Sequence, residues 1–175
     1  GDFVETNQTV NLQLECGIEG LNVEIDAPFY GHSPPPAPPG FFDGLWNFDV
    51  VEIFLVGPAV EYIELEFGPH GHYLGYNLDG PRSVVGRFNF EHYETHILDD
   101  RWLGHATLHL ENIPDRIVKW NAFAIFGETT KRSHMCMSPL PGAVPNFHQP
   151  AYFPVWDSSN SNMDVDSNRL GKKDN

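Results

Sequence analysis

The chain has 175 residues, of which 41% are hydrophobic and 13% aromatic, enough for one domain with a sizeable core and too few for two comfortable ones. A formal net charge of −14 repels phosphate backbones and anionic membrane surfaces, and no basic patch offsets it. Nucleic acid and membrane are therefore not expected as partners, which leaves neutral, polar or cationic ligands.

No apolar run approaches the roughly 18–20 residues that span a bilayer, and the N-terminus lacks the pattern of a signal peptide. Cys16 and Cys136, the two cysteines, provide neither a disulfide framework nor a zinc constellation, and two reduced core thiols are the expectation. A cytoplasmic setting is expected on the same grounds. The sequence carries no mark of an oligomeric state.

The 15 Pro and 16 Gly divide the chain into short pieces that favour strands over long helices. "VNLQLEC" sets Val10, Leu12 and Leu14 against polar neighbours, and "LNVEIDA" does the same with Leu21, Val23 and Ile25; both read as half-buried strands. "GHSPPPAPPGFFDG" follows, a stiff surface connection whose prolines lack ladder donors. In "DVVEIFLV" a period of two puts Val51, Ile53 and Leu55 on one face and Val50, Glu52, Phe54 and Val56 on the other. Glu52 thus shares a mostly apolar face, where a carboxylate must be paired, hydrogen-bonded or near solvent.

"YIELEF" puts Ile63, Leu65 and Phe67 toward a core and Tyr62, Glu64 and Glu66 on a second face that is expected to be acidic and open. "GHATLHL" and "WNAFAIFG" supply later strands, the latter apolar almost throughout and expected to be central. After Trp156 the composition turns polar. Residues 1–156 are expected to form an all-β sandwich of two antiparallel sheets with few or no helices, and residues 157–175 a polar flexible tail.

Two segments add a resemblance. In "LWNFDVVEIFL", Trp46, Asp49, Glu52, Ile53 and Phe54 are spaced as in the family 9 carbohydrate-binding modules, and in "PNFHQPAYF", Phe147, Pro150 and Phe153 are similar to that family's closing segment. Together with "APFY", "YIELEFGPHGHYL", "FAIFG" and "KRS", these pieces also resemble an animal family of uncharacterised proteins assigned a family 9-like domain. The resemblance implies a sandwich in which two aromatic rings clamp a sugar. Trp46 and Phe147 would be the clamp, Glu52 a hydroxyl acceptor, and Asp49 either an acceptor or a turn anchor. The sequence departs from the pattern by Glu64 where the resembled family carries Arg and by Phe147 where it carries Trp, with His148 as a further polar contact. The physics fits: the C–H face of a pyranose packs on an aromatic ring while carboxylates accept from its hydroxyls.

A saccharide is therefore the expected partner, and a non-catalytic module the expected activity. No cofactor is expected apart from a structural calcium, with Asp99 and Asp100 of "ILDDRW" as weak ligand candidates. His70 and His72, two apart in "GPHGHY", are weak metal candidates on one face of an extended strand, as are His105 and His109. Two alternatives compete with the module. Met135, Met137 and His134 of "KRSHMCMSP" are the local candidates for haem ligands, and a fold-retaining protein-interaction module with a lost sugar site is the other. Glu52 and Glu64 on neighbouring strands also suggest a glycosidase pair, but no nucleophile elbow, P-loop or dinucleotide fingerprint accompanies them.

Overall fold

Alternating apolar residues build two packed sheets, as a computed structural model shows for residues 8–127, 131–142 and 145–157 and for the backbone of 162–166. Twelve strands are described: β1 (Thr9–Cys16), β2 (Gly20–Pro28), β3 (Gly40–Phe41), β4 (Val50–Val56), β5 (Tyr62–Phe67), β6 (His72–Leu78), β7 (Val84–Arg87), β8 (His92–Leu98), β9 (Arg101–His109), β10 (Lys119–Phe126), β11 (Ser133–Cys136) and β12 (Asn162–Asp166). The five-stranded sheet runs β12-β1-β2-β9-β8, and the seven-stranded sheet runs β11-β10-β4-β5-β6-β3 with β7 also on β6. Helical structure among the described residues amounts to three single 3-10 turns, one of which, Leu45–Asn47, carries Trp46.

Pairing is antiparallel except between β3 and β6, which run parallel over two residues. The apolar strand β10 has a partner on each side, β4 and β11, as its composition predicts.

The main core lies between the sheets. Leu12, Leu14, Val23 and Ile25 from the smaller sheet meet Val51, Ile53, Leu55, Ile63, Leu65 and Phe67 from the larger one. These are the core faces that the two-residue period assigns. Burying each such side chain contributes roughly 1.5–3 kcal/mol. Close packing also sets residue size: a Cβ on Gly75 of β6 would lie 2.7 Å from the Phe88 ring.

The opposite faces of the two sheets differ. On the smaller sheet the outward residues of β1 and β9 are exposed or half-buried, so that face meets water. On the larger sheet the outward face is covered, and Phe54, Tyr62, Leu74, Phe123 and Phe153 form a second apolar cluster with Phe147, Leu140 and Phe41 packed against it. This corrects the reading of β5. All six of its residues are buried, and Glu64 and Glu66 lie beneath a layer of returning chain that alternation within one strand cannot reveal.

Another correction concerns the segment after Trp156. Within the expected tail, residues 162–166 pair antiparallel with β1, with Val10 opposite Val165 and Leu12 opposite Met163. A ladder is made by backbone groups, so a segment of polar composition can still pair with a strand at the edge of a sheet. Residues 158–161 and 167–175 lie outside the described residues.

Candidate functional site

The covered face of the larger sheet encloses a cavity of about 450 Å³, within the range of small-molecule sites. Trp46, Glu52, Glu64, Phe147 and His148, five of the six residues proposed from sequence, line it together. They arrive from separate elements. The 3-10 turn before β4 presents Trp46, which keeps 40% of its surface exposed, so its ring is a wall of the cavity and not core. Phe147 comes from the returning segment, one face stacked on Phe123 at 4.0 Å between centroids and 8° between planes.

Asp49 is the exception. Its Oδ1 accepts the Gly127 N–H at 2.9 Å, and its Oδ2 lies 2.9 Å from His32 Nδ1. Asp49 thus bridges the entry to β4 and the end of β10, as in the turn-anchoring alternative, and does not line the cavity. One residue beyond the strand's end its side chain is claimed by a backbone donor.

The acids on the floor have an unusual arrangement. Glu52 on β4 is directly opposite Glu66 on β5, and Glu64 follows two residues earlier on the same face of β5. Glu52 is 2%, Glu64 6% and Glu66 0% exposed. Burial raises all three carboxyls above their ordinary range, Glu64 to about 7. For Glu52 the Glu64 charge adds to burial while Arg132 opposes it, and for Glu66 the charges of Glu52 and Glu64 add. Glu66 shares a side-chain hydrogen bond with Glu64, which holds the Glu64 carboxyl down and pushes that of Glu66 up. Three carboxyls so close in a dry site retain protons instead of ionising together.

His148 lies on the other side of Glu64, its Nε2 3.8 Å from Glu64 Oε1. Burial, helped by the Arg82 charge, lowers its imidazole to about 4, so near neutral pH this contact is not an ion pair. The Tyr62 hydroxyl accepts the Arg82 N–H and donates to the Gly80 carbonyl, both at 3.2 Å, and lies 2.9 Å from His148 Nδ1.

Several lining residues escape a sequence reading. Tyr76 shares the outward face of β6 with Leu74 and Leu78, and strand alternation locates it once that face is known to be covered. Arg82 and Arg132 come from a hairpin turn and a loop, where no periodicity operates. Arg82 donates to Asn146 Oδ1 at 3.2 Å, and Arg132 to the Phe48 carbonyl at 2.9 Å.

The metal candidates lie elsewhere, and the haem candidates are divided. Gly71, at φ 81°, turns the chain between His70 and His72, which bond separate carbonyls of the Pro-rich connection, His32 at 3.3 Å and Ala37 at 2.9 Å. The extended-strand geometry expected for that pair is therefore not present. His105 Nδ1 is 2.6 Å from Glu24 Oε1, and His109 Nδ1 is 3.5 Å from Glu91 Oε2. Asp99 and Asp100 form the exposed turn between β8 and β9, Asp99 with a φ of 53°. Among the described residues, no three His, Cys, Asp or Glu side chains are grouped to hold a metal ion. Met135 is fully buried in the core between the sheets with Met137 packed against it, whereas His134 lines the cavity. The haem candidates are thus split between two compartments, because neighbouring residues of a strand face opposite ways.

Relatives extend this description. Over 167 residues the chain is 35% identical to the UPF0462 protein C4orf33 homolog of Rattus norvegicus, an alignment covering 86% of this chain and 80% of the relative. The chain belongs to the UPF0462 (C4orf33) family. Its human UPF0462 relative, UPF0462 protein C4orf33 of Homo sapiens, is also 35% identical, with the same coverage of 86% and 80%. The Danio rerio UPF0462 homolog is 33% identical over 156 residues, covering 84% of this chain and 79% of the relative. No protein-family model matches the chain. Among solved structures, a putative carbohydrate-binding protein from Bacteroides uniformis is similar in fold, with a TM-score of 0.66 at 13% identity over 88% of this chain and 82% of that one. That likeness shows that this UPF0462 chain has the same β-sandwich fold.

Proposed function

We propose that the protein is a non-catalytic binding module, family 9-like, that takes a saccharide into the cavity on the covered face of its larger sheet. The observation that carries this reading is the meeting of an exposed Trp46, the Phe147 ring and the Glu52 and Glu64 carboxyls around one volume of about 450 Å³. An aromatic wall packs against the C–H face of a sugar ring, and carboxyl groups exchange hydrogen bonds with its hydroxyls. The fold shared with a putative carbohydrate-binding protein is consistent with that use.

Burial alters the polar half of the proposal. A carboxyl that keeps its proton donates one hydrogen bond as well as accepting, so Glu52 and Glu64 can serve hydroxyl oxygens as well as hydroxyl protons. Isothermal titration calorimetry against mono- and disaccharides tests the reading. Saturable heats without turnover are expected from the wild type; no heats with any sugar overturn it.

A further inference from the structure

We propose that the saccharide carries a primary ammonium group, as a 2-amino-2-deoxyhexose does, and that the ammonium sits against Glu52 and Glu64. The inference rests on the saccharide reading and names the chemical class of its ligand.

The floor of the cavity is acidic. Glu52, Glu64 and Glu66 occupy one face of two adjacent strands, where diagonal and directly opposite side chains are within roughly 5–8 Å of each other. No Lys or Arg among the described residues forms an ion pair with any of the three; the nearest basic group in ion-pair range is His148, 3.8 Å from Glu64. That imidazole is neutral near pH 7. The two arginines lining the cavity donate to Asn146 and to the Phe48 carbonyl, and their charges act on Glu64 and Glu52 without forming an ion pair with either. Beneath the floor, Glu66 is completely buried and interacts with the Glu64 carboxyl beside it. Carboxyls that hold their protons in a dry site can ionise against a cation brought by the ligand, so an ammonium gains a charge-assisted hydrogen bond that a neutral hydroxyl does not.

The walls favour the same group. Trp46, Tyr76 and Phe147 line the cavity, and aromatic faces attract an ammonium through their quadrupoles. An ammonium also offers three donors to a site rich in carboxyl oxygens, whereas a hydroxyl offers one. At long range, the chain's net charge of −14 raises the local concentration of a cationic sugar over a neutral one. An acidic sugar meets the opposite field.

The test is calorimetry of the full chain at pH 7 against matched sugars: glucose, glucosamine and N-acetylglucosamine, then galactose, galactosamine and N-acetylgalactosamine, with glucuronate as the anionic control. At least one free amino sugar is expected to bind about tenfold or more tightly than both its parent and its N-acetyl form, a difference of about 1.4 kcal/mol. Glu64→Gln is expected to cut that preference to less than about threefold, read as the ratio of amino-sugar to parent-sugar affinity measured on the same variant. If Glu64→Gln does not fold, the matched sugars on the wild type decide alone. Neutral sugars or glucuronate binding as well as the amino sugars overturns the inference and leaves the saccharide reading standing. An amino-sugar preference that persists in folded Glu64→Gln overturns the proposed seat. Absence of binding by every sugar overturns both the inference and the reading beneath it.

Discussion

Glu52 of β4 and Glu66 of β5 face one another across a ladder pair with almost no exposure to solvent, 2% and 0%. Such a pair directly opposite in a sheet is destabilising when both members are charged, and it dominates the electrostatics of the covered face.

The pair sets the direction of pH dependence. Burial holds the folded-state Glu64 at about 7 against an ordinary 4.5, and Glu52 and Glu66 are also raised. A carboxyl with a raised folded pKa binds protons more tightly in the native state, so its stabilisation is present at low pH and is lost as pH rises from the ordinary value through the folded one. For Glu64 this amounts to as much as roughly 3 kcal/mol between pH 4.5 and 7. Melting temperatures at pH 5 and pH 8 should fall for wild type and fall less for Glu66→Gln. A wild type more stable at pH 8 would contradict the buried trio.

Trp46→Ala separates binding from folding. The ring is 40% exposed on a 3-10 turn, so its loss should shift the melting temperature by no more than about 3 °C while removing sugar binding from calorimetric range. A drop several times larger would place the ring in the structural core.

Asp49→Ala should act in the opposite sense. Removing the carboxylate leaves the Gly127 N–H without its acceptor and His32 without its partner, for a cost of about 1–3 kcal/mol in urea unfolding. Binding by the folded fraction should be little changed, because Asp49 is not part of the cavity lining. Selective loss of sugar affinity at unchanged stability would restore it to the ligand site.

Ending the chain after Asp157 removes β12 and turns β1 into an edge. Backbone amides over residues 9–13 should then exchange faster with deuterium, and the truncated protein should aggregate more readily. Unchanged exchange would show that the β1–β12 ladder contributes nothing in solution.

Alternation along β1, β2, β4 and β5 was enough to assign the core faces, because a strand places successive side chains on opposite sides whatever its neighbours are. Short motifs around Trp46, Glu52 and Phe147 likewise marked residues that the fold gathers into one cavity. Strand β8, "HYETHIL", has no comparable apolar rhythm, and β12 is held through backbone pairing, so neither announces itself in composition. Whether the second face of β5 is wet or dry depends on chain returning from residues 137–156, some seventy positions or more away. Contacts between distant segments likewise bring Arg82 and Arg132 to the cavity and turn Asp49 toward Gly127 and His32 instead. Periodicity is a local property of the backbone, whereas burial of a polar face and the company its charges keep are decided by what the rest of the chain lays over it.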